Sequence, residues 1–302
     1  MGEATARPYR GRFAPSPTGP LHLGSLLTAT ASFLDARAAR GEWWLRIEDL
    51  DATRIVRGAA DDIRTTLEAH GLQWDGEVEQ SGDRRDRYFQ ALDHLARAGL
   101  TYRCTCSRSR LAGTRAYPGT CRALHVRDPQ AAVRIRVDDA EIEFVDRIQG
   151  RVRQHVGRDV GDFVVLRRDG IPAYQLAVVV DDADQLVTDV VRGADLLDNT
   201  PRQIFLCGVL GLAAPRYAHV PLVVDANGDK LSKQTFAARI DSTSAPANLL
   251  RVLDMLGQSP DPALRAGTVA DVLDWAIANW RLDRVPRTLR LEPLHPGGRS
   301  AP

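Results

Sequence analysis

Apolar positions along the first hundred residues recur at two alternating periods, and the alternation predicts the fold class. Tyr9 to Ala14 is a short β-like run that breaks at Pro15-Ser16-Pro17-Thr18-Gly19-Pro20, and a helical pattern then runs from about Leu23 to Arg40. A second strand, Trp43 to Ile47, follows at once. Strand, helix and strand at this spacing make a βαβ unit, so a parallel sheet with a right-handed crossover is expected. Ile63, Leu67, Leu92 and Leu95 recur at helical spacing within Gly58 to Gly71 and Asp83 to Gly99, which predicts two further helices.

From Thr101 to about Asp159 the texture changes to cysteines, glycines and short alternating runs such as Val133-Arg134-Ile135-Arg136-Val137, which predict a small β-rich insertion. Parallel α/β character is expected to return with Phe163 to Leu166, the helix Tyr174 to Val180, the strand Thr188 to Val191, the helix Thr200 to Leu210 and the strand His219 to Val224. Two modest helical patterns follow, about Ala247 to Leu256 and Thr268 to Trp280, and then a loose Pro/Gly/Arg tail. The expected architecture is an α/β, doubly wound parallel sheet. Its halves, 1–100 and 160–240, flank an insertion at 101–159, and a short helical segment with its tail covers 241–302.

Composition narrows the function classes without choosing one. At 302 residues with 44% hydrophobic and 26% charged content, the chain can bury a sizeable core. No apolar run is long enough to cross a bilayer and the start Met1-Gly2-Glu3-Ala4 is polar, so a cytoplasmic address is expected. A net charge of +1 gives no global signal for nucleic acid, and any RNA-binding face must come from clustered arginines. All but two of the 40 basic residues are arginine; the lysines, Lys230 and Lys233, lie three apart. An ammonium kept in an arginine-rich chain suits a site where a compact point charge meets phosphates, although a solvated turn would look the same.

The sequence His22-Leu23-Gly24-Ser25 opens a helix directly after the first strand, where unpaired N–H groups and the helix dipole favour phosphate. Lys230-Leu231-Ser232-Lys233-Gln234 follows the last predicted strand, and in an open doubly wound sheet both loops lie beside the ligand crevice. Arg12-Phe13-Ala14-Pro15-Ser16-Pro17-Thr18-Gly19, with His22 to Ser25, resembles the first signature of the glutamyl- and glutaminyl-tRNA synthetases. Lys230 to Gln234 resembles their second. The similarity also covers Arg46-Ile47-Glu48-Asp49, Tyr174 and Arg192-Gly193-Ala194-Asp195, spanning about residues 9 to 240. Two departures stand out: serine occupies position 25 where relatives carry a second histidine, and the lysine motif ends in glutamine.

The resemblance implies a Rossmann-like catalytic domain that joins the glutamate carboxylate to the α-phosphate of ATP, with Mg²⁺ accompanying the nucleotide. Such chemistry needs alignment and charge stabilisation, not a covalent nucleophile. Lys233, Lys230 and His22 are the expected catalytic groups, and His22, Gly24, Ser25, Lys230 and Lys233 the ATP contacts. Glutamate offers two carboxylates and an ammonium, which call for cationic forks and an acid. Arg12, Arg192 and Glu48 fit those needs. By resemblance the pocket also takes Phe13, Ala14, Pro15, Ser16 and Tyr174; which arginine holds which carboxylate is left open.

Cys104, Cys106 and Cys121 give three soft ligands for tetrahedral zinc, with Tyr117 or His125 as the fourth. Ligand chemistry favours His125, but the resemblance, through Tyr117-Pro118-Gly119-Thr120-Cys121, implies Tyr117, which is the expected fourth ligand with His125 as the alternative. Cys207 stands in an apolar stretch and is expected in the core. Full-length relatives continue past the lysine motif into an anticodon-reading region, but only 69 residues follow Lys233. The shortened chain, the zinc-type insertion and Ser25 together resemble the glutamyl-Q tRNA(Asp) synthetases. That resemblance implies a monomer that glutamylates queuosine in the anticodon loop of tRNA(Asp). A truncated glutamyl-tRNA synthetase charging a terminal ribose and a non-catalytic RNA-binding paralogue are the rival readings.

Overall fold

A computed structural model describes residues 7–79, 84–107, 109–114, 116–224 and 239–292. The predicted βαβ unit is there: β1 (Arg10–Phe13), α1 (Leu23–Ala38) and β2 (Glu42–Ile47), with β1 and β2 parallel and Arg12 opposite Trp44. Helix α2 (Ala59–Ala69) leads to β3 (Gly76–Glu79), which pairs parallel with β2. Strand β3 was not foreseen, because Gly-Glu-Val-Glu carries a single large apolar side chain and gives no periodic signal. The return from α1 to β2 is tight: a Cβ at Gly41 would lie 2.4 Å from the Tyr9 carbonyl oxygen, so only glycine fits.

Helix α3 (Arg85–Arg97) precedes β4 (Thr101–Cys104), β5 (Ala132–Ile135), the hairpin of β6 (Glu141–Asp146) and β7 (Gly150–His155), the short α4 (Val156–Asp159) and β8 (Phe163–Leu166). Strand β8 corrects an expectation. It does not return to a parallel sheet but pairs antiparallel with β5, which pairs antiparallel with β4. A four-residue apolar run specifies burial, not the direction of its neighbour.

Parallel pairing resumes with α5 (Tyr174–Asp184), β9 (Asp189–Gly193), α6 (Thr200–Val209) and β10 (Arg216–Val220), β9 and β10 running side by side. The Thr188 N–H donates to the Arg10 carbonyl at 2.9 Å, which brings this strand pair against β1. The strand expected from His219 to Val224 is two pieces, β10 and β11 (Leu222–Val223), because Pro221 between them has no N–H to give. Helices α7 (Ala245–Met255) and α8 (Val269–Asn279) follow, and β12 (Arg290–Leu291), in the stretch expected to be loose, pairs parallel with β11.

Helix α1 is buried on nearly all sides, with Leu26, Leu27, Phe33 and Leu34 enclosed between β1 and β9 on one flank and α7 and α8 on the other. Leu249, Val252, Leu253, Val272 and Leu273 of the last two helices share its core. A second core joins α3, α5, α6 and the antiparallel strands, and takes in Cys207 as expected. No helix among the described residues is long and apolar enough to cross a membrane.

Candidate active site and cysteine cluster

The loop after β1 places the first signature. Phe13 turns inward and stacks on Trp43 with ring centroids 6.3 Å apart, so only its backbone is left for a ligand. Pro15 and Pro17 carbonyls accept from Glu48 N–H at 3.0 Å and Val56 N–H at 2.9 Å, tying the loop to the segment after β2. Ser16 is exposed, and Ala14 and Pro15 are half-buried. His22 caps α1: its Nδ1 accepts from the Ser25 N–H at 3.2 Å, and its Nε2 lies 3.0 Å from Ser25 Oγ. With Nδ1 accepting, the neutral ring carries its proton on Nε2 and donates to Ser25, an assignment that follows from the network. Ser25 therefore ties the imidazole to the first turn. A Cβ on Gly24 would meet the His22 ring at 3.3 Å, so glycine leaves the imidazole room.

Four charged side chains meet where β1, β2 and α5 converge. Asp182, on α5, accepts from Arg12 at 3.3 and 3.4 Å and from Arg46 at 2.7 Å, and Arg46 also reaches Glu48 at 3.4 Å. All but Glu48, which is half-buried, are buried. Burial works against the Asp182 carboxylate, but the attraction and hydrogen bonds of Arg12 and Arg46 hold its pKa below the usual range. Glu48 is pushed the other way: desolvation raises it, Asp182 and Asp181 add to the rise, and Arg46 and Arg12 only partly oppose it. Asp182 thus neutralises one arginine charge, and Glu48 is paired with Arg46 alone among the described residues. Tyr174, 37% exposed at the start of α5, lies in the same field. Desolvation raises its phenol, and Arg192, Glu48 and Arg12 are the nearest charges acting on it.

Arg192 comes from β9 and is 4% exposed. Its Nε donates to His219 Nε2 at 3.0 Å, and its Nη2 to Thr200 Oγ1 at 2.8 Å. Nη1 is buried without a hydrogen-bond partner among the described residues. A buried guanidinium with one unpaired nitrogen, whose charge acts on Tyr174, fits a carboxylate ligand, since such a donor is costly to leave unmet. Arg12, Glu48, Tyr174 and Arg192 are therefore brought together, while Lys230 and Lys233 lie outside the described residues. Sequence reasoning missed Asp182 in the acidic run Asp181-Asp182-Ala183-Asp184, Thr200 in the polar turn Asp198-Asn199-Thr200, and His219, a lone polar letter in an apolar strand.

In the insertion, the sulfurs of Cys104, Cys106 and Cys121 lie within 4.8 Å of one another. Tyr117 Oη is 3.3 Å from Cys104 Sγ and 3.8 Å from Cys106 Sγ, and accepts from the Cys121 N–H at 3.0 Å. His125 is exposed and stands outside the cluster. Burial disfavours the Cys121 thiolate, but the Thr105 backbone and the Tyr117 hydroxyl outweigh it and bring this thiol down to about 7. Arg134 lies 3.8 Å above the Tyr117 ring and donates to Cys104 at 3.3 Å. Three soft sulfurs and a phenol oxygen converging on one point can hold a metal ion.

Residues 9–260 match the family model for the catalytic domain of class I tRNA synthetases, types E and Q. A glutamyl-Q tRNA(Asp) synthetase of Pseudomonas aeruginosa is 53% identical over 94% of this chain and 97% of its own length. One from Dechloromonas aromatica is 54% identical over 93% and 96%. Among solved structures, a glutamate-tRNA synthetase from Elizabethkingia anophelis superposes with a TM-score of 0.78 at 26% identity, covering 94% of this chain and 68% of that one. On these matches, with the signature loop, the insertion and the charged cleft already located, the chain belongs to the class I tRNA synthetases of the glutamate and glutamine type, and within them to the glutamyl-Q tRNA(Asp) synthetases.

Proposed function

We propose that the chain activates L-glutamate with ATP and transfers it to queuosine in the anticodon loop of tRNA(Asp). The observation that supports this reading is that Arg12, Glu48 and Arg192, drawn from separate elements, all act on Tyr174, with Arg192 Nη1 left without a partner among the described residues. Arg192 and Arg12 meet the substrate's carboxylates, Glu48 its ammonium, and Tyr174 and Ser16 add neutral hydrogen bonds. Phe13, Ala14 and Pro15 border the pocket through the loop backbone. The α1 N-terminus with His22, Gly24 and Ser25 receives ATP and its Mg²⁺, and Lys230 and Lys233 stabilise charge developing on the phosphates. The parallel strands form one Rossmann-like, doubly wound domain whose halves are 1–100 and 160–240. The 101–159 insertion and the 241–302 segment complete a cytoplasmic monomer whose active site itself receives the anticodon loop.

Isotopic exchange of pyrophosphate into ATP tests the activation step. Exchange is expected with glutamate and not with aspartate, whose shorter side chain cannot span both cationic groups. Equal exchange with either amino acid would contradict the pocket assignment.

The cysteine cluster is a structural zinc site of Cys104, Cys106, Cys121 and Tyr117, and the metal would bind the lobe's loops together. Purified protein is expected to contain about one zinc per chain, and Cys121→Ser to lose most of it, because a tetrahedral site needs all its ligands. Metal analysis after dialysis against a chelator checks this; full zinc retention in the variant would contradict it.

A further inference from the structure

Arg192 is oriented by a buried relay that begins in the insertion. Asp146 closes β6 and is 1% exposed. Its Oδ1 accepts the backbone N–H groups of Ile148 at 3.0 Å, Gln149 at 2.8 Å and His219 at 3.1 Å. Its Oδ2 lies 2.6 Å from His219 Nδ1. On the far side of the ring, His219 Nε2 faces the Nε–H of Arg192, a group that can only donate. The tautomer is then fixed: Nε2 accepts, Nδ1 carries the proton, and that proton points at the carboxylate. Thr200 Oγ1 accepts from Nη2, with the Leu196 carbonyl at 3.3 Å from the same nitrogen. Two of the three guanidinium nitrogens are held, and the unpaired Nη1 is the one left over.

Bland core polarity does not explain this arrangement. A histidine needing only one partner would be satisfied by Asp146, and an arginine needing only charge balance would sit against a carboxylate, as Arg46 does. Arg192 instead contacts a neutral acceptor on Nε, and no carboxylate among the described residues forms an ion pair with it. Tyr217 stacks flat beside His219, at 6.2 Å and 14°, and lies 5.2 Å under the Arg192 guanidinium, so neither ring nor fork can rotate freely.

We propose that Asp146 and His219 are positioning residues for glutamate: they fix the tautomer that aims Arg192 Nη1 at a substrate carboxylate while leaving its charge uncompensated. The assignment rests on the glutamate pocket proposed above. It also gives the insertion a part in amino-acid recognition, because Asp146 belongs to the β6–β7 hairpin and not to the parallel strands.

Replacing Asp146 by asparagine tests it. The amide can still accept the three backbone N–H groups, but it presents N–H to His219 Nδ1. The imidazole must then carry its proton on Nε2, facing the Arg192 donor. Asp146→Asn is expected to raise the glutamate KM in pyrophosphate exchange by about tenfold or more, leaving the ATP KM within about twofold. His219→Asn keeps a donor near Asp146 but loses the acceptor for Arg192, and should show the same selective rise. His219→Gln places an amide oxygen near the former Nε2 and should recover most of the loss. If Asp146→Asn loses its cooperative melting, the two His219 variants decide alone. Unchanged glutamate KM in folded Asp146→Asn and His219→Asn, beside an active parent, overturns the assignment and leaves the function standing. A parent that performs no glutamate-dependent exchange overturns both.

Discussion

Arg192→Ala is expected to raise the KM for glutamate by about 10²- to 10⁴-fold, the larger effect on activity. The variant removes the unpaired Nη1 edge and with it two charge-assisted hydrogen bonds, each worth about 1.5–3 kcal/mol. Every 1.4 kcal/mol is about tenfold in affinity. The cavity it leaves lies between Tyr217 and Thr200, and the freed acceptor at His219 can rebond to Thr200 Oγ1, 3.2 Å away. Folding should survive for that reason. Arg192→Lys should not restore binding, because an ammonium cannot contact His219, Thr200 and a carboxylate from one rigid plane. Steady-state exchange kinetics with each substrate varied in turn measure both variants; a glutamate KM within threefold of the parent would remove Arg192 from the pocket.

The larger effect on stability belongs to Asp182→Ala. Arg12 and Arg46 are 3% and 0% exposed, and Asp182 is the carboxylate they share. Its loss leaves two guanidinium groups buried, with Glu48 and Asp181 as the remaining carboxylates acting on Arg46, a class of change that costs about 3–5 kcal/mol. Thermal unfolding should fall by about 10 °C. The pH dependence has a definite sign. The Asp182 pKa is depressed in the folded state, so its contribution is fully present above the ordinary carboxylate value of about 4 and is lost as pH falls through the lower folded value. The parent should therefore lose stability on acidification below about pH 4, and Asp182→Ala should lose less over the same window. Melting curves at pH 7 and pH 3.5 compare them; parallel loss in both proteins would assign acid sensitivity elsewhere.

The parts of the fold that were legible in the sequence share one property: their signal is periodic. Leu26, Leu27, Phe33 and Leu34 repeat at helical spacing ahead of Arg40-Gly41, and α1 ends just before that pair, at Ala38. The strand Phe163 to Leu166 was legible as a strand but not as an antiparallel one, since direction is decided by where β5 lies. Strand β3 and the β11–β12 pair are too short or too polar for any period to show. The site divides along a similar line. Arg12, His22, Glu48 and Arg192 stand in contiguous motifs, but Asp182, Asp146 and His219 are single letters far apart in the chain. Their meaning comes from tertiary contacts, 170 positions apart for Arg12 and Asp182 and 73 for Asp146 and His219. Ligand chemistry pointed to His125 and the family resemblance to Tyr117. The backbone separates them, by turning His125 to solvent and holding the Tyr117 oxygen against the Cys121 N–H.

Labelling of tRNA(Asp) with radioactive glutamate is the most direct test of the proposed reaction. With ATP present, label should enter tRNA(Asp) that carries queuosine, reside in an anticodon-loop fragment after nuclease digestion, and be missing from tRNA(Asp) made without the modified base. Equal labelling of the unmodified transcript, or label confined to the terminal ribose, would contradict it.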